Sequence, residues 1–183
     1  MIYKIIKFAN PVLRQKGTLV TEFKDELKEL AADMVETMHD AEGIGLAAQQ
    51  IGKAIRLCVI DIPERVDKDE VSVPLHPDVT MPLVLVNPEV MAQSEEREPY
   101  EEGCLSFPEI TGNVVRPVEV TVRFQDVSGA KQEVGARGML ARCMQHEIDH
   151  LNGVLYIDRM SNVKRVALAG KLKRLKKQTE LES

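Results

Sequence analysis

Hydrophobic positions along the chain change their spacing several times, and each spacing predicts a type of element. Over about residues 24–40 apolar residues recur at intervals of three and four, which predicts a first helix that stops at Gly43. The apolar residues of that helix are Leu27, Leu30, Met34 and Met38. A second helix is expected to begin near Gly138, and a last one to cover about residues 162–179.

Shorter apolar runs, some continuous and some alternating, predict strands at residues 55–62, 83–90, 118–124 and 131–137. The last two runs are joined by the turn-like sequence QDVSGA. Residues 63–82 are rich in Pro, Asp and charge and predict an exposed loop, and a further acidic loop is expected before residue 118. Because the strands come first and the key helix comes late, the order indicates an α+β fold rather than repeated βαβ units.

Composition narrows the classes of protein that this pattern could represent. The chain has 183 residues, 44% of them hydrophobic and 29% charged, which is typical of one globular domain. No apolar run approaches the roughly 18 residues of a membrane span, and no signal peptide is expected. Cys58, Cys104 and Cys143 are widely spaced, which disfavours a disulfide framework and favours the reducing cytoplasm. The net charge of −5 argues against a partnership with DNA.

The segment QHEIDH, residues 145–150, carries candidate chemistry. On a helix with about 100° per residue, His146 and His150 project from one face about 6 Å apart, which suits two ligands of one metal ion. Glu147 lies between that face and the apolar side, where partial desolvation would raise its pKa toward the range of a general base. The rest of the helix divides into an apolar stripe (Leu140, Met144, Ile148 and Leu151) and a polar stripe (Arg142, Gln145 and Asp149).

A solvated helix turn explains the same segment unless the chain offers a third ligand. Cys143 shares the histidine face, but it lies about 7.5 Å along the axis from the shared metal position, which is too far for a thiolate. Cys104, in YEEGCLSFPE, is the remaining candidate. It follows Gly103, which allows close backbone approach, and Glu101 and Glu102, which could accept hydrogen bonds from the histidines. Three ligands leave one tetrahedral position open, which is the catalytic arrangement.

Three segments taken together resemble the motifs of the peptide deformylase family, in the same order and at similar separations. They are GIGLAAQQIG (43–52), EGCLSFPE (102–109) and QHEIDHLNG (145–153), and ANPVLR and GMLARCMQHE extend the likeness over nearly the whole chain. The resemblance implies antiparallel or mixed sheets packed around a central HExxH helix, a C-terminal helix, and a single catalytic domain over residues 1–183. It also implies a cytoplasmic enzyme that hydrolyses the formyl group from N-formylmethionine of new polypeptides and releases formate.

The resemblance also implies roles for particular residues. Cys104, His146 and His150 would hold one divalent metal ion, usually Fe²⁺ in this family, although Zn²⁺, Ni²⁺ or Co²⁺ can occupy such a site. Glu147 would take a proton from water and return it to the leaving amine. The Leu105 backbone N–H and the side-chain amide of Gln50, rather than that of its neighbour Gln49, would donate hydrogen bonds to the oxyanion.

Further residues are candidates for the substrate site. The glycines of the first motif, with Gly45 at its centre, and Gly103 would let an extended peptide lie close to the backbone. An apolar pocket for the methionine side chain would be lined by Ile44, Met139 and Cys143, although Met139 and Cys143 could equally belong to the core.

Two charged residues have two interpretations each. Arg116 could pair with Glu102 and hold the Cys104 segment, or it could be a solvated charge at the entry to a strand. Asp149 could support the histidine ligands from behind, or it could be one of the charges on the polar stripe.

The C-terminal segment has seven basic residues between Lys164 and Lys177 and no acid among them. Its leucines predict a docked helix with a solvated basic face, and the sharper hypothesis is contact with ribosomal RNA. Two other functions remain open at this point. An HExxH metallopeptidase would cleave internal peptide bonds and tolerate Cys104→Ser, and a non-catalytic ribosome-associated protein would be indifferent to Glu147→Ala.

Overall fold

The computed structural model describes residues 1–66, 72–73 and 76–182. In this part of the chain the helices are α1 (Asp25–Asp40), α2 (Gly138–Leu151) and α3 (Asn162–Glu182). The strands are β1 (Gly45–Ala47), β2 (Leu57–Ile60), β3 (Arg65–Val66), β4 (Ser72–Val73), β5 (Leu83–Gln93), β6 (Arg97–Cys104), β7 (Phe107–Pro117), β8 (Glu119–Gln125) and β9 (Lys131–Arg137). Short 3₁₀ helices occupy Pro11–Arg14, Ala48–Ile51 and Tyr156–Arg159.

The strands form one main sheet and two separate pairs. The main sheet has the order β1-β2-β5-β8-β9, while β6 pairs with β7 and β3 with β4. Every named strand pair is antiparallel. Helix α2 contacts β1, β2, β7, β8 and β9, so it lies between the sheet and the β6–β7 hairpin. The predicted α+β fold, with its central HExxH helix and its C-terminal helix, is confirmed.

Two apolar layers cover the two faces of the main sheet. The apolar stripe of α2 packs on one face and α1 packs on the other. Because successive side chains of a strand point to opposite faces, Cys58 and Ile60 of β2 join the α2 layer while Leu57 and Val59 join the α1 layer. The fully apolar sequence of β2 therefore reflects burial on both faces.

The third apolar cluster joins the hairpin to the C-terminal part of the chain. Phe107 and Val114 of β7 pack there with Tyr156 and Leu175. Leu168 and Leu172 of α3 pack against the same cluster, so the expected docking of this helix by its leucines is confirmed. Among the described residues, no helix is both long enough and apolar enough to cross a membrane.

Two expectations about the middle of the chain need correction. The acidic loop expected before residue 118 is wrong, because these residues form the β6–β7 hairpin, and Cys104 is the last residue of β6 rather than part of a loop. The exposed loop expected at residues 63–82 contains the short β3–β4 pair, and its residues 67–71 and 74–75 lie outside the described part of the chain.

The polar stripe of α2 is not a solvated surface. Arg142, Gln145 and Asp149 are 6%, 9% and 7% exposed, respectively, because the β6–β7 hairpin covers this side of the helix. The Gln145 side-chain amide donates to the backbone carbonyl of Pro117 at 3.0 Å, at the end of β7. The helix is therefore buried on its polar side as well as on its apolar side.

Candidate metal centre and active site

Two elements bring the three candidate ligands together. Helix α2 supplies His146 and His150 from successive turns of one face, and the end of β6 supplies Cys104. One ligand atom from each of these residues lies within 4.8 Å of the other two. Cys104 Sγ is 3.3 Å from His150 Nε2. The three residues that the sequence singled out as ligands thus form a cluster that could hold a metal ion.

The chemistry of the donor atoms fits a divalent metal. Nδ1 of His146 is 2.9 Å from the Glu102 carboxylate, an acceptor, so this nitrogen carries the hydrogen and Nε2 keeps its lone pair for a metal. A thiolate with two imidazole nitrogens is a donor set that Fe²⁺ and Zn²⁺ accept. Such a set also leaves one tetrahedral position open.

A buried ion network holds the hairpin against the polar side of α2. Arg116 donates to both oxygens of Glu102, at 2.6 and 3.1 Å, and to Asp149 at 2.8 Å. Arg142 also donates to Glu102, at 2.8 Å. On the far side of Asp149, Arg159 donates to both carboxylate oxygens at 3.1 and 2.8 Å. The pairing of Arg116 with Glu102 and the buried position of Asp149 agree with the supporting roles considered for them.

The electrostatics of this network favour an ionised Glu102. Burial by itself would raise the pKa of the carboxyl group, but hydrogen bonds from His146 and Arg116 outweigh it and lower the pKa to about 2. A carboxylate fixed in this way keeps the ring of His146 in one orientation. Glu101, the other acceptor considered from the sequence, is exposed and accepts a hydrogen bond from Thr111 instead.

Glu147 has the environment of a general base. Its side chain is buried, and Oε2 has no hydrogen-bond partner within the described chain. Burial raises the pKa of Glu147 to about 7, so the carboxyl group can exchange a proton near neutral pH. Gly45 leaves room for this position, because a Cβ atom there would lie 2.4 Å from Glu147 Oε1 and would displace the carboxyl group.

The two neighbouring glutamines face different ways. Gln50 Oε1 accepts a hydrogen bond from the Ala47 backbone N–H at 2.9 Å, which turns the amide nitrogen toward the metal cluster. That nitrogen lies 3.5 Å from Cys104 Sγ and donates to Ser106 Oγ at 3.1 Å. Gln49 instead donates to the backbone carbonyl of Gln15. Only Gln50 of the pair is aimed at the cluster.

A cavity of about 630 Å³ opens beside the cluster. Its lining includes all the residues that were predicted to contact substrate, namely Ile44, Gly45, Gly103, Met139 and Cys143, together with Leu105. Cys143 and Met139 also pack in the α2 core layer. Each residue therefore lines the cavity and belongs to the core at the same time. Gly103 differs from Gly45, because a Cβ atom there would make only an ordinary 3.5 Å contact with Thr111.

Several residues at the site carried no recognisable signal in the sequence. Arg142 and Arg159 complete the ion network, and Ser106 accepts from Gln50. Lys7 donates to the backbone carbonyl of Leu105, which lies 98 positions later in the sequence. Spacing could not have revealed these residues. Arg142, Ser106 and Lys7 meet their partners only when the hairpin folds onto α2 and onto the N-terminal half of the chain, and Arg159 meets Asp149 only when the chain turns back after α2.

The fold and the site together define a class of protein, the hydrolases with an HExxH helix and a third ligand from a separate strand. A family model described as polypeptide deformylase matches residues 2–166. The chain belongs to the polypeptide deformylase family, whose members are metal-dependent hydrolases that remove the N-formyl group from nascent peptides.

Individual relatives agree along nearly the whole chain. A peptide deformylase of Opitutus terrae is 46% identical, over 98% of this chain and 95% of that protein. One of Rhizobium meliloti is 48% identical, over 90% of this chain and 88% of that protein. A crystal structure of peptide deformylase from Plasmodium falciparum superposes with a TM-score of 0.85 at 34% identity, covering 97% of this chain and 98% of that one.

Proposed function

We propose that this chain is a single catalytic domain that removes the formyl group from N-formylmethionyl peptides in the cytoplasm, with one divalent metal ion held by Cys104, His146 and His150. The observation that carries the proposal is the joint placement of Glu147 and Gln50. A buried carboxyl group with a pKa of about 7 and a fixed amide donor both lie at the same three-ligand cluster. The cytoplasm supplies the new polypeptides and keeps the Cys104 thiol reduced.

The residues of the chain perform the proton transfers. A divalent ion at the cluster would supply Lewis acidity, which lowers the pKa of water and polarises the formyl carbonyl. Glu147 accepts a proton from the attacking water as the carbon–oxygen bond forms. It then returns that proton to the nitrogen as the carbon–nitrogen bond breaks. The products are formate and a peptide with a free amino group.

Negative charge on the formyl oxygen needs hydrogen-bond donors. Gln50 Nε2 is one, since its orientation is set by Ala47 before substrate arrives, and an amide donates without titrating near neutral pH. The backbone N–H of Leu105 is the second, because Leu105 directly follows Cys104 and lines the cavity. A preorganised donor of this kind contributes about 100-fold to 1,000-fold to the rate.

The substrate would bind along β1 and fill the cavity. Strand β1 is at one end of the main sheet, so its outer edge is available to pair with an extended peptide. The methionine side chain would enter beside Ile44, Met139 and Cys143. Burial raises the pKa of the Cys143 thiol well above its usual value, so Cys143 serves as an apolar wall rather than as a ligand.

We propose Fe²⁺ as the native ion on the family's usual preference alone, since the mixed sulfur and nitrogen donor set also admits Zn²⁺, Ni²⁺ and Co²⁺. Metal analysis of protein purified without oxygen is expected to give about one iron per chain. Cys104→Ser is expected to lower that content sharply. Zinc as the predominant ion under these conditions would contradict the assignment.

Formate release from formyl-Met-Ala-Ser under anaerobic Fe²⁺ conditions tests the activity. The proposal predicts formate and an intact peptide, with no cleavage of internal peptide bonds and strong dependence on Cys104. Internal cleavage that survives Cys104→Ser would favour the metallopeptidase instead. Absence of both reactions would favour a non-catalytic ribosome-associated protein.

We also propose that α3 contacts ribosomal RNA where new chains emerge. Its basic residues, Lys164, Arg165, Lys171, Lys173, Arg174, Lys176 and Lys177, are all exposed, while Leu168, Leu172 and Leu175 pack in the cluster that includes the hairpin. Replacing Lys171, Lys173 and Lys177 together by Gln removes charge without removing the docked leucines. Co-sedimentation with ribosomes is expected to weaken and to depend less steeply on salt. Unchanged binding at every salt concentration would contradict this contact.

A further inference from the structure

The N-terminal segment touches both elements that carry the proposed oxyanion donors. The Ile6 backbone N–H donates to the backbone carbonyl of Gln50 at 2.8 Å. Two residues later, the Phe8 backbone N–H donates to the carbonyl of Ser106 at 2.9 Å. One short piece of chain therefore bridges the 3₁₀ helix that contains Gln50 and the turn that follows Cys104.

Between these two backbone contacts, Lys7 points its side chain into the active-site cavity. Its ammonium group donates to the Leu105 backbone carbonyl at 2.7 Å. The side chain is half-buried and lines the same cavity as Glu147. Partial burial lowers the pKa of Lys7, so placing the amine here costs solvation that an exposed lysine would keep. A charge-assisted hydrogen bond offsets that cost.

The bonded carbonyl belongs to the residue whose N–H is a proposed oxyanion donor. Leu105 lies in a two-residue turn between β6 and β7, where Cys104 pairs with Phe107. Holding the carbonyl of Leu105 fixes the planar peptide group between Leu105 and Ser106. The preceding peptide group, which carries the Leu105 N–H, is tied to the end of β6 through the pairing of Cys104 with Phe107, so it can reorient only about the two backbone dihedrals of Leu105 that join it to the fixed group. A hydrogen-bond donor that is already oriented stabilises the transition state, whereas a donor that must first reorient loses much of this stabilisation.

We propose that Lys7 is a positioning residue that holds the turn after Cys104, so that the Leu105 N–H faces the formyl oxygen in the transition state. This inference rests on the proposed function for its catalytic consequence, but the contact itself does not depend on that function. The group that Lys7 acts through is the backbone of Leu105, and Lys7 does not need to touch the substrate.

Two substitutions at Lys7 and a matched control test this role in the metal-loaded enzyme. Lys7→Met keeps most of the side-chain length and removes the donor, while Lys7→Arg keeps a donor. The control is Lys4→Met, because Lys4 lies on the same segment with its side chain 80% exposed and pairs only loosely with Glu182, at 3.8 Å. We expect Lys7→Met to lower kcat about 10-fold with KM within about two-fold, and Lys7→Arg to restore most of the loss.

Hydrogen–deuterium exchange supplies a readout that does not need activity. Uptake in the segment 104–107 is expected to be faster in Lys7→Met than in the wild type, and unchanged in Lys4→Met. Thermal unfolding of each variant verifies that the fold is retained.

Two results would overturn the inference: kcat and exchange both at wild-type values in Lys7→Met, or a raised KM with kcat unchanged, which would indicate ground-state substrate binding. A wild-type protein that releases no formate would defeat the proposed function instead, and the exchange comparison would still decide whether Lys7 holds the turn.

Discussion

Helices α2 and α3 both combine an apolar stripe with a polar face in the sequence, but the two polar faces have opposite surroundings. Arg142, Gln145 and Asp149 of α2 are nearly inaccessible to solvent beneath the hairpin. The lysines and arginines of α3 are all exposed, although that helix is also docked by an apolar stripe. An amphipathic pattern therefore locates the apolar side of a helix, but it does not show whether the polar side meets water.

The charged side chains of the two helices also differ in what they contribute to the stability of the fold. Around α2 each described carboxylate of the network accepts hydrogen bonds from arginine, and these bonds fix Glu102 behind His146, a candidate metal ligand. On α3 the charges stay solvated, where single ion pairs contribute little to stability. The buried charges around α2 hold side chains of the site in fixed positions. The exposed charges of α3 instead create a positive electrostatic field at the surface.

The largest effect on stability is expected from breaking the buried network at its centre. Arg116→Met leaves Glu102 and Asp149 each without one of the arginines that contact them. Arg142 still contacts Glu102 and Arg159 still contacts Asp149, so each buried carboxylate loses only part of its compensation. We therefore expect the free energy of unfolding to fall by up to about 3–5 kcal/mol, the range for a fully uncompensated buried charge. Urea unfolding measures this change.

The matched control for that substitution is an arginine on the sheet. Arg123→Met removes an arginine of β8 that is 54% exposed and pairs with Glu133 at 3.6 Å. We expect this change to cost less than about 1 kcal/mol. Equal effects at Arg116 and Arg123 would remove the distinction between the buried and the exposed charges.

A smaller effect is expected from titrating Glu102 in the metal-free protein. Its pKa is lowered from 4.5 to about 2 in the folded chain, so the unfolded chain binds more protons between these values. The contribution to stability is complete above about pH 4.5 and is lost as the pH falls toward 2, by at most about 3 kcal/mol. Unfolding curves from pH 2 to 5 should show this slope in the wild type and not in Glu102→Gln. Parallel curves would contradict the low pKa.

The smallest effect is expected on α3. Replacing Lys171, Lys173 and Lys177 by Gln should change the free energy of unfolding by less than about 0.5 kcal/mol. Leu175→Ala, on the docked side of the same helix, should cost about 2 kcal/mol or more because Leu175 is only 8% exposed. A large loss in the lysine variant would show that the basic face supports the fold.

Elements with a regular apolar period could be predicted from the sequence, and the hairpin could not. Helix α2 and strand β9 begin at the expected residues, and α1 begins one residue later. The hairpin was missed because its inward positions include Glu102 and Arg116, whose burial depends on partners from distant elements. Alternation of apolar and polar residues cannot identify a strand that buries charges.

Some residues of the candidate site could likewise be predicted from the sequence, and others could not. His146, Glu147 and His150 could be placed by helical spacing, and Cys104 by the lack of another suitable ligand. The supports of the site could not, since Arg159 and Lys7 reach their partners only through the tertiary fold. Sequence patterns thus indicated the reacting groups, whereas the structure was needed to find the residues that hold them.

The most direct test of the account compares wild type with Glu147→Ala, both loaded with Fe²⁺ to equal metal content without oxygen. The measurement is kcat/KM for formate release from formyl-Met-Ala-Ser. Loss of the buried base should lower this value by about 100-fold to 10,000-fold while the three metal ligands remain in place. Equal formate release by the two proteins at equal metal content would contradict the central claim that Glu147 carries the proton.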